Sequence, residues 1–310
     1  RYRLVRTGTP ITNSLLDLWS QMNFLQPGLM GNLQAFKRHY MQITDTEKDK
    51  QRVERLKLLV SPFILRRRKA DVEPDLPELS VEYRYCEMTP EQIQRYEIEK
   101  SAVRNELLEG IESGKIATSS VQVLRALIRM RQIACHPSLV DKSYEGDSGK
   151  LEEVMRSLET LREENQKALI FSSFVEHLKI LEREFEQRGW NYSILTGSTH
   201  DREKVIDLFR QSPDRHFFLI SLKAGGFGLN LTEAGYVFLL DPWWNEASEM
   251  QAIGRSHRIG QSQKVIAYRF ISKDSIEEKM LRLQQRKQEL SSALITTTNP
   301  MKEISREEAR

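Results

Sequence analysis

From about residue 150 onward the chain alternates between two hydrophobic rhythms. Leu151, Val154, Met155, Leu158 and Leu161 recur at helical spacing, and Ala168-Leu169-Ile170-Phe171 follows as an unbroken apolar run. Leu178, Leu181 and Phe185 return to helical spacing before a strand at Tyr192–Leu195. A helix bearing Val205, Ile206 and Phe209 then leads to Phe217-Phe218-Leu219-Ile220, and Tyr236–Leu240 and Val265–Ile271 supply two further strands. Strands apolar at consecutive positions are covered on both faces, and intervening helices permit parallel pairing through right-handed crossovers. The pattern predicts a doubly wound α/β lobe.

Residues 11–150 read differently, mostly helical and rich in charge. Thr89-Pro90-Glu91-Gln92 combines a cap, a first-turn proline and a capping-box glutamine, so a helix starts there. Val81–Met88 before it is a predicted strand, and Thr118–Ile133 a predicted helix that stops ahead of Pro137. Tyr144-Glu145-Gly146-Asp147-Ser148-Gly149 reads as a linker. Near the far end, Asp274 with Glu277 is expected to cap a helix carrying Ile276, Met280, Leu283 and Leu290, and beyond Thr296 the polar tail is expected to fray. No internal repeat is visible.

A chain of 310 residues makes one large or two ordinary domains. Its net charge is only +3, yet residues 1–80 hold 14 Lys/Arg against 9 Asp/Glu. That permits a nucleic-acid surface without establishing one. Cys86 and Cys135 are too few and too far apart for a disulfide framework and suit a reducing compartment. Cys135-His136 lacks a second ligand cluster, so core packing is expected there and no metal site. No apolar run approaches the ~20 residues that span a bilayer, and no apolar signal segment follows Arg1-Tyr2-Arg3. A soluble intracellular protein with no membrane partner is expected.

The chemistry gathers after the strands. Gln251-Ala252-Ile253-Gly254-Arg255-Ser256-His257-Arg258-Ile259-Gly260-Gln261 places two arginines three residues apart. At the start or flank of a helix they would share a face as two permanently charged forks suited to phosphate. Arginine fingers of phosphoryl transfer have this character; the alternative is a solvated basic face. Ser221-Leu222-Lys223-Ala224-Gly225-Gly226-Phe227-Gly228-Leu229-Asn230-Leu231 follows a buried strand, and its glycines allow close backbone approach to phosphates or simply a turn into a helix. Ser172-Ser173-Phe174 and Thr196-Gly197-Ser198 stand at strand C-terminal ends, where open α/β sheets collect ligands. Their hydroxyls suit phosphate oxygens, with helix capping as the competing use. Asp241-Pro242-Trp243-Trp244-Asn245 follows another strand, and Arg66-Arg67-Arg68-Lys69 is a basic run, solvated or functional.

TGTPITN, PFILRRRKADV, KALIFSSF, ILTGST, SLKAGGFGLNL, DPWWN and QAIGRSHRIGQ, in that order along nearly the whole chain, resemble the Swi/Snf-type DNA translocase ATPases of helicase superfamily two. The resemblance implies that residues 1–80 form the end of a first ATPase lobe with a helical insertion and the basic segment. Residues 81–149 then begin the second lobe with a further helical insertion, residues 150–295 are the second RecA-like lobe with a C-terminal helix, and residues 296–310 are a flexible tail. It implies Arg255 and Arg258 as catalytic fingers, with Gln251, Gly254, Gly226 and Gly228 toward the nucleotide. Ser172, Ser173, Thr196, Gly197, Ser221, Lys223, Ala224, Gly225, Trp244, Arg66 and Arg67 are implied on the side of double-stranded DNA. Arg6 and Glu246 depart from the family pattern, which usually has an apolar residue and a proline there.

ATP and Mg2+ are implied for the full-length enzyme, but G-x-x-x-x-G-K-[ST] occurs nowhere in the chain, nor does the expected acidic pair. Gly114-Lys115 and Gly149-Lys150 are followed by isoleucine and leucine. The expectation is a C-terminal portion of a longer enzyme, opening at Thr7-Gly8-Thr9-Pro10 inside the first lobe's last motif, unable by itself to bind ATP tightly or hydrolyse it. Its partners would be duplex DNA and the first ATPase lobe, in a bacterial cytoplasm or nucleoid rather than a nucleus. A non-catalytic DNA-binding or interaction module is the rival reading. An RNA helicase lobe is a third, disfavoured by DPWWN, the IGQ ending and the helical block.

Overall fold

The structure, a computed structural model, describes residues 2–5, 15–40, 47–65, 73, 75–112, 116–226, 229–244 and 246–294. The chain forms two compact units, residues 1–74 with 283–310 and residues 75–282. The sequence reading divides the chain instead at 80 and 149.

The first unit packs helices α1 (Leu15–Leu25), α2 (Leu33–Tyr40) and α3 (Glu47–Val60) around Leu18, Met22, Phe36, Leu56 and Val60. Asn32 caps α2 by accepting the Ala35 N–H at 2.8 Å. Residues 2–5 form no strand; Tyr2 and Leu4 are exposed and Arg3 donates to the Phe24 carbonyl.

In the second unit six strands form one parallel sheet: β1 (Leu79–Cys86), β2 (Ala168–Ser172), β3 (Tyr192–Leu195), β4 (Phe217–Ser221), β5 (Tyr236–Leu239) and β6 (Val265–Ser272). Their order is β1-β6-β5-β2-β4-β3, and every pairing is parallel. β2 and β4 are buried at every position, which is what continuous apolar runs require. Alternate residues feed opposite cores. Ile170, Leu219 and Phe238 meet α6 (Gly149–Glu163) and α7 (Val175–Gln187) on one face, while Leu169, Phe218 and Val237 share the other with Phe209 of α8 (Arg202–Gln211) and Ile253 of α9 (Glu246–Ile253). Each fully buried phenylalanine contributes about 1.5–3 kcal/mol. This is the expected doubly wound α/β lobe.

Long helices α4 (Pro90–Glu112) and α5 (Ile116–Cys135) lie between β1 and β2. The capping box forms, with Gln92 N–H on Thr89 Oγ1 at 3.2 Å and Thr89 N–H on Gln92 Oε1 at 3.4 Å. Gln92 also reaches the Ile133 carbonyl at 2.8 Å, tying the two helices together. Residues 144–148 are loop but no free tether. Tyr144 and Ser148 are buried, and a Cβ on Gly149 would stand 1.6 Å from the Glu87 carbonyl oxygen. α10 (Ile276–Leu294) starts as expected but is capped differently. Ser275 Oγ accepts the Glu277 N–H at 3.1 Å, Asp274 takes φ +54, and Leu283 is exposed rather than on the packed face. Among the described residues no helix is long and apolar enough to cross a membrane.

Candidate functional site

Because all six strands run parallel, the segments leaving β2, β3, β4 and β5 emerge along one edge of the sheet. The connection after β2 turns toward β3 and that after β5 toward β6, so the crevice between β2 and β5 is the topological switch point. Two of the singled-out segments meet there, held by a buried carboxylate. Asp241 Oδ1 accepts from Ser172 Oγ at 2.6 Å and from the Ser173 N–H at 3.1 Å, and Oδ2 accepts from the Ser173 hydroxyl.

The fourth partner is Arg131, which the sequence reading passed over. Its Nη2 lies 3.1 Å from Asp241 Oδ2, 2.9 Å from the Pro242 carbonyl and 3.2 Å from Ser173 Oγ. Its guanidinium packs 5.0 Å from the Phe174 ring centroid, 5.4 Å from Trp243 and 5.9 Å from Trp244. The side chain is 2% exposed and that of Asp241 0%, so each buried charge has its counter-charge in the other. A signal was present. Leu127, Met130, Arg131, Ala134 and Cys135 follow helical spacing on one face, and an arginine on an apolar face demands a buried partner.

These contacts decide what the strand-end residues can do. Ser172 is 0% exposed and its hydroxyl is spent on Asp241, so its side chain offers nothing to a ligand and instead fixes the switch point. Ser173, Trp243 and Trp244 are half-buried at the same place, and the two indole rings share one arginine. Thr196 is buried with its hydroxyl on Ser198 at 2.9 Å, and Gly197 is exposed beside it. Ser221 Oγ caps the turn after β4 by accepting the Ala224 N–H at 3.4 Å, which favours the capping use of that serine. Lys223 is exposed, whereas Ala224 and Gly225 are buried. A Cβ on Gly225 would come within 2.9 Å of the Phe171 ring, so this glycine answers to core packing. Gly226 closes a short 3-10 turn, while Gly228, Arg66 and Arg67 lie outside the described residues.

The arginine motif departs from its expected shape. α9 ends at Ile253, and residues 254–260 run through turns, so Arg255 and Arg258 do not stack on a helix face. Gly254 and Gly260, the latter at φ +101, favour turns over helix, and side chains then knot the loop. The Ser256 hydroxyl donates to the Ala234 carbonyl, Gln261 Nε2 donates to the same oxygen at 3.1 Å, and His257 Nε2 bonds the Pro77 carbonyl at 2.8 Å. Arg255 is buried while Arg258 is exposed. Burial, then the charge of Arg258, lowers the Arg255 pKa from its ordinary value; an arriving anion would relieve both penalties. Gln251 is exposed in the last turn of α9 and Gly254 half-buried just after it.

A second buried pair fixes the start of α9. Glu249 is 1% exposed; its Oε1 accepts the Trp243 N–H at 2.7 Å and its Oε2 lies 3.1 Å from Arg269 Nε. Arg269 also donates to Tyr83 Oη at 2.9 Å and to Glu246 Oε1 at 3.4 Å. Glu246, where the resemblance led one to expect proline, is thus a partner in a charge cluster.

Cys135, His177 and Asp241 bring three ligand-type atoms within 4.8 Å of one another, all buried. The donor set does not fit a metal. Both Asp241 oxygens already accept hydrogen bonds, and the Lys150 ammonium stands 4.0 Å from Cys135 Sγ. Burial pushes the Cys135 thiol well above its usual range, so it keeps its proton rather than acting as a thiolate. The group reads as polar core, with burial lowering the His177 pKa to about 3.

Comparison with known proteins places these features in context. The chain matches the SNF2-related domain over residues 1–139 and the helicase conserved C-terminal domain over residues 149–260. It is 35% identical over 308 residues to an uncharacterized ATP-dependent helicase of Mycoplasma pneumoniae, covering 98% of this chain and 29% of that protein. The chain spans about a third or less of the curated relatives it matches, between 29% and 34% for the first three. Among solved structures it is similar to the C-terminal domain of the Sulfolobus solfataricus SWI2/SNF2 ATPase, at 30% identity and TM-score 0.57, covering 75% of this chain and 97% of that one. The core of that ATPase in complex with double-stranded DNA is 34% identical, with TM-score 0.56, over 98% of this chain and 65% of that one.

Proposed function

The chain belongs to the Swi/Snf-type family of ATP-dependent helicases and remodellers, and from that premise we propose that its second unit is the C-terminal ATPase lobe of a translocase on double-stranded DNA. The observation that carries the reading is the convergence of the post-strand segments on one sheet edge, with the Arg255–Arg258 turn following directly from α9. Exposed Lys223 and the backbone at Gly197 and Ser173 would meet the phosphodiester backbone, giving salt-sensitive, sequence-independent binding.

Toward ATP this donor set fits the terminal phosphates and little else. ATP, with Mg2+, supplies the phosphoanhydride whose hydrolysis drives the cycle. Arg255 and Arg258 would place permanent positive charge where negative charge develops in the transition state. Gln251, in the last turn of α9, is exposed, and Gly254, just after that helix, is half-buried. The sequence contains no G-x-x-x-x-G-K-[ST] loop to cradle the other phosphates. These 310 residues are therefore expected to hydrolyse no ATP unaided, and the first lobe of the same protein is the partner that supplies the rest. Closing and opening of the two lobes would move the duplex.

The test is Arg255→Ala in the full-length protein. Loss of a finger lowers DNA-stimulated turnover by about 10³–10⁵-fold, with circular dichroism unchanged. Turnover equal to wild type removes Arg255 from catalysis. Robust DNA-dependent hydrolysis by residues 1–310 alone would overturn the division of labour.

A further inference from the structure

We infer that the stretch from Asp241 to Arg255 is a mechanical coupler between the DNA side and the phosphate side of the site, and that Glu249 and Arg131 are the positioning residues that make it one. The inference rests on the functional reading above. At its first end the stretch is anchored to the Ser172–Phe174 turn through Asp241, with Arg131 spanning Ser173, Asp241, the Pro242 carbonyl and both tryptophan rings. Anything that presses on Ser173 or Trp244 therefore presses on a single bonded body.

Glu249 carries that displacement into α9. One carboxylate oxygen holds the Trp243 N–H at 2.7 Å and the other faces Arg269 Nε at 3.1 Å, so the loop and the helix share one buried group. Breaking such a pair strands a charge in the interior, so the linkage resists rupture. From Glu249 the helix runs four residues to Ile253, which is 1% exposed, and the chain reaches Arg255 with its N–H on the Ala252 carbonyl at 3.0 Å. Two apolar side chains could hold α9 against β6 equally well. They could not accept the Trp243 N–H, and that directional bond joins the loop to the helix.

A coupler must act reciprocally: if DNA changes the phosphate side, nucleotide must change DNA affinity by the same factor. The experiment measures duplex binding to the full-length protein by fluorescence anisotropy, with and without a non-hydrolysable ATP analogue and Mg2+, alongside ATPase rates with and without DNA. In wild type the analogue is expected to shift duplex affinity by about 5–150-fold. Glu249→Gln, which has one acceptor oxygen for two facing donors and so cannot hold the Trp243 N–H and Arg269 together, is expected to reduce that factor below about twofold, leave nucleotide-free affinity within about threefold, and abolish DNA stimulation. Should Glu249→Gln not fold, Glu249→Asp keeps the charge but is one methylene too short to hold Trp243 and Arg269 together, and the same loss is expected. Arg131→Lys, which keeps the charge without the fork, should lose part of the factor. Coupling that survives in Glu249→Gln or Glu249→Asp overturns the coupler alone. A wild type without any nucleotide effect overturns both the coupler and the functional reading.

Discussion

Lys150→Met should be among the most damaging single changes in the lobe, although Lys150 touches no proposed ligand. The Lys150 ammonium lies 2.7 and 2.6 Å from the two Glu277 oxygens and 2.9 Å from the Leu240 carbonyl, and both side chains are 0% exposed. Glu277 also accepts the Ser272 N–H at 2.8 Å, so the pair joins α6, the end of β6 and the start of α10. At 2.6 Å, an effective dielectric of about 20 gives an attraction of roughly 6 kcal/mol, most of it offset by the desolvation of two ions. Removing only the lysine keeps the desolvation cost of Glu277 and discards its compensation, for a loss of about 3–5 kcal/mol. Replacing both, as Lys150→Met with Glu277→Leu, should return to within about 2 kcal/mol of wild type. Equilibrium urea unfolding followed by tryptophan fluorescence measures Lys150→Met, Glu277→Leu and the double variant against wild type. The control is Lys100→Met, whose partner Glu97 is 52% exposed, with an expected cost below about 1 kcal/mol. A Lys150→Met cost no larger than the control's, or a double variant as damaged as the sum of the singles, refutes the argument from burial.

Acidification should weaken the fold through two buried histidines. Burial lowers the pKa of His136 to about 4 and that of His177 to about 3, while the unfolded chain protonates near 6.5. Both are therefore neutral in the fold, so their stabilising contribution is present above pH 6.5 and is lost as pH falls toward 4, by about 1.4 kcal/mol per pH unit for each. His136→Asn, which can still accept the Ser138 N–H, should flatten the urea midpoint against pH by one such increment; an unchanged slope contradicts the assignment. Lys223→Ala should weaken duplex binding uniformly across sequences and reduce the slope of log affinity against log salt by about one, and a sequence-dependent loss in anisotropy titrations would count against a phosphate contact. Ser172→Ala should cost about 1.5–3 kcal/mol in urea unfolding through its bond to a carboxylate while nucleotide-free DNA affinity holds; the reverse pattern would return Ser172 to the DNA.

The strands were legible because burial on both faces writes itself locally. Ala168–Phe171 and Phe217–Ile220 have no polar position to misread, and both are buried throughout. Val81–Met88 was legible as a strand, displaced by two residues from Leu79–Cys86. Its place beside β6 was not, because that partner begins at Val265, far along the chain. The site was legible as segments and illegible as bonds. Serine at a strand end serves a phosphate or a neighbouring carboxylate equally well, and only the fold brings Asp241 to Ser172. The RxxR spacing implied a shared helix face, but Gly254 lets the helix stop at Ile253, two residues before Arg255. Capping at Asp274 failed for a similar reason: Ser275 offered the hydroxyl and Glu277 was already claimed by Lys150.

Among the described residues, three buried ion pairs lie in this lobe, and their surroundings assign them different work. Lys150–Glu277 binds helices and a strand end to one another, and its remaining contacts are a carbonyl, a backbone N–H and a thiol. Apolar replacements lose the bonds to the Leu240 carbonyl and the Ser272 N–H, a cost in stability, but shape still keeps α6 and α10 in place. Arg131–Asp241 and Arg269–Glu249 instead grip the backbone of the loop between them, at the Pro242 carbonyl and the Trp243 N–H. Apolar replacements cannot grip those atoms. A full-length protein carrying Lys150→Met with Glu277→Leu should therefore keep DNA-stimulated ATP hydrolysis within about threefold of wild type, since a volume-conserving swap costs little once no charge is stranded. Arg269→Met with Glu249→Leu should fold comparably in urea and lose the stimulation. Equal activity in the two double variants would mean that all three pairs serve stability alone.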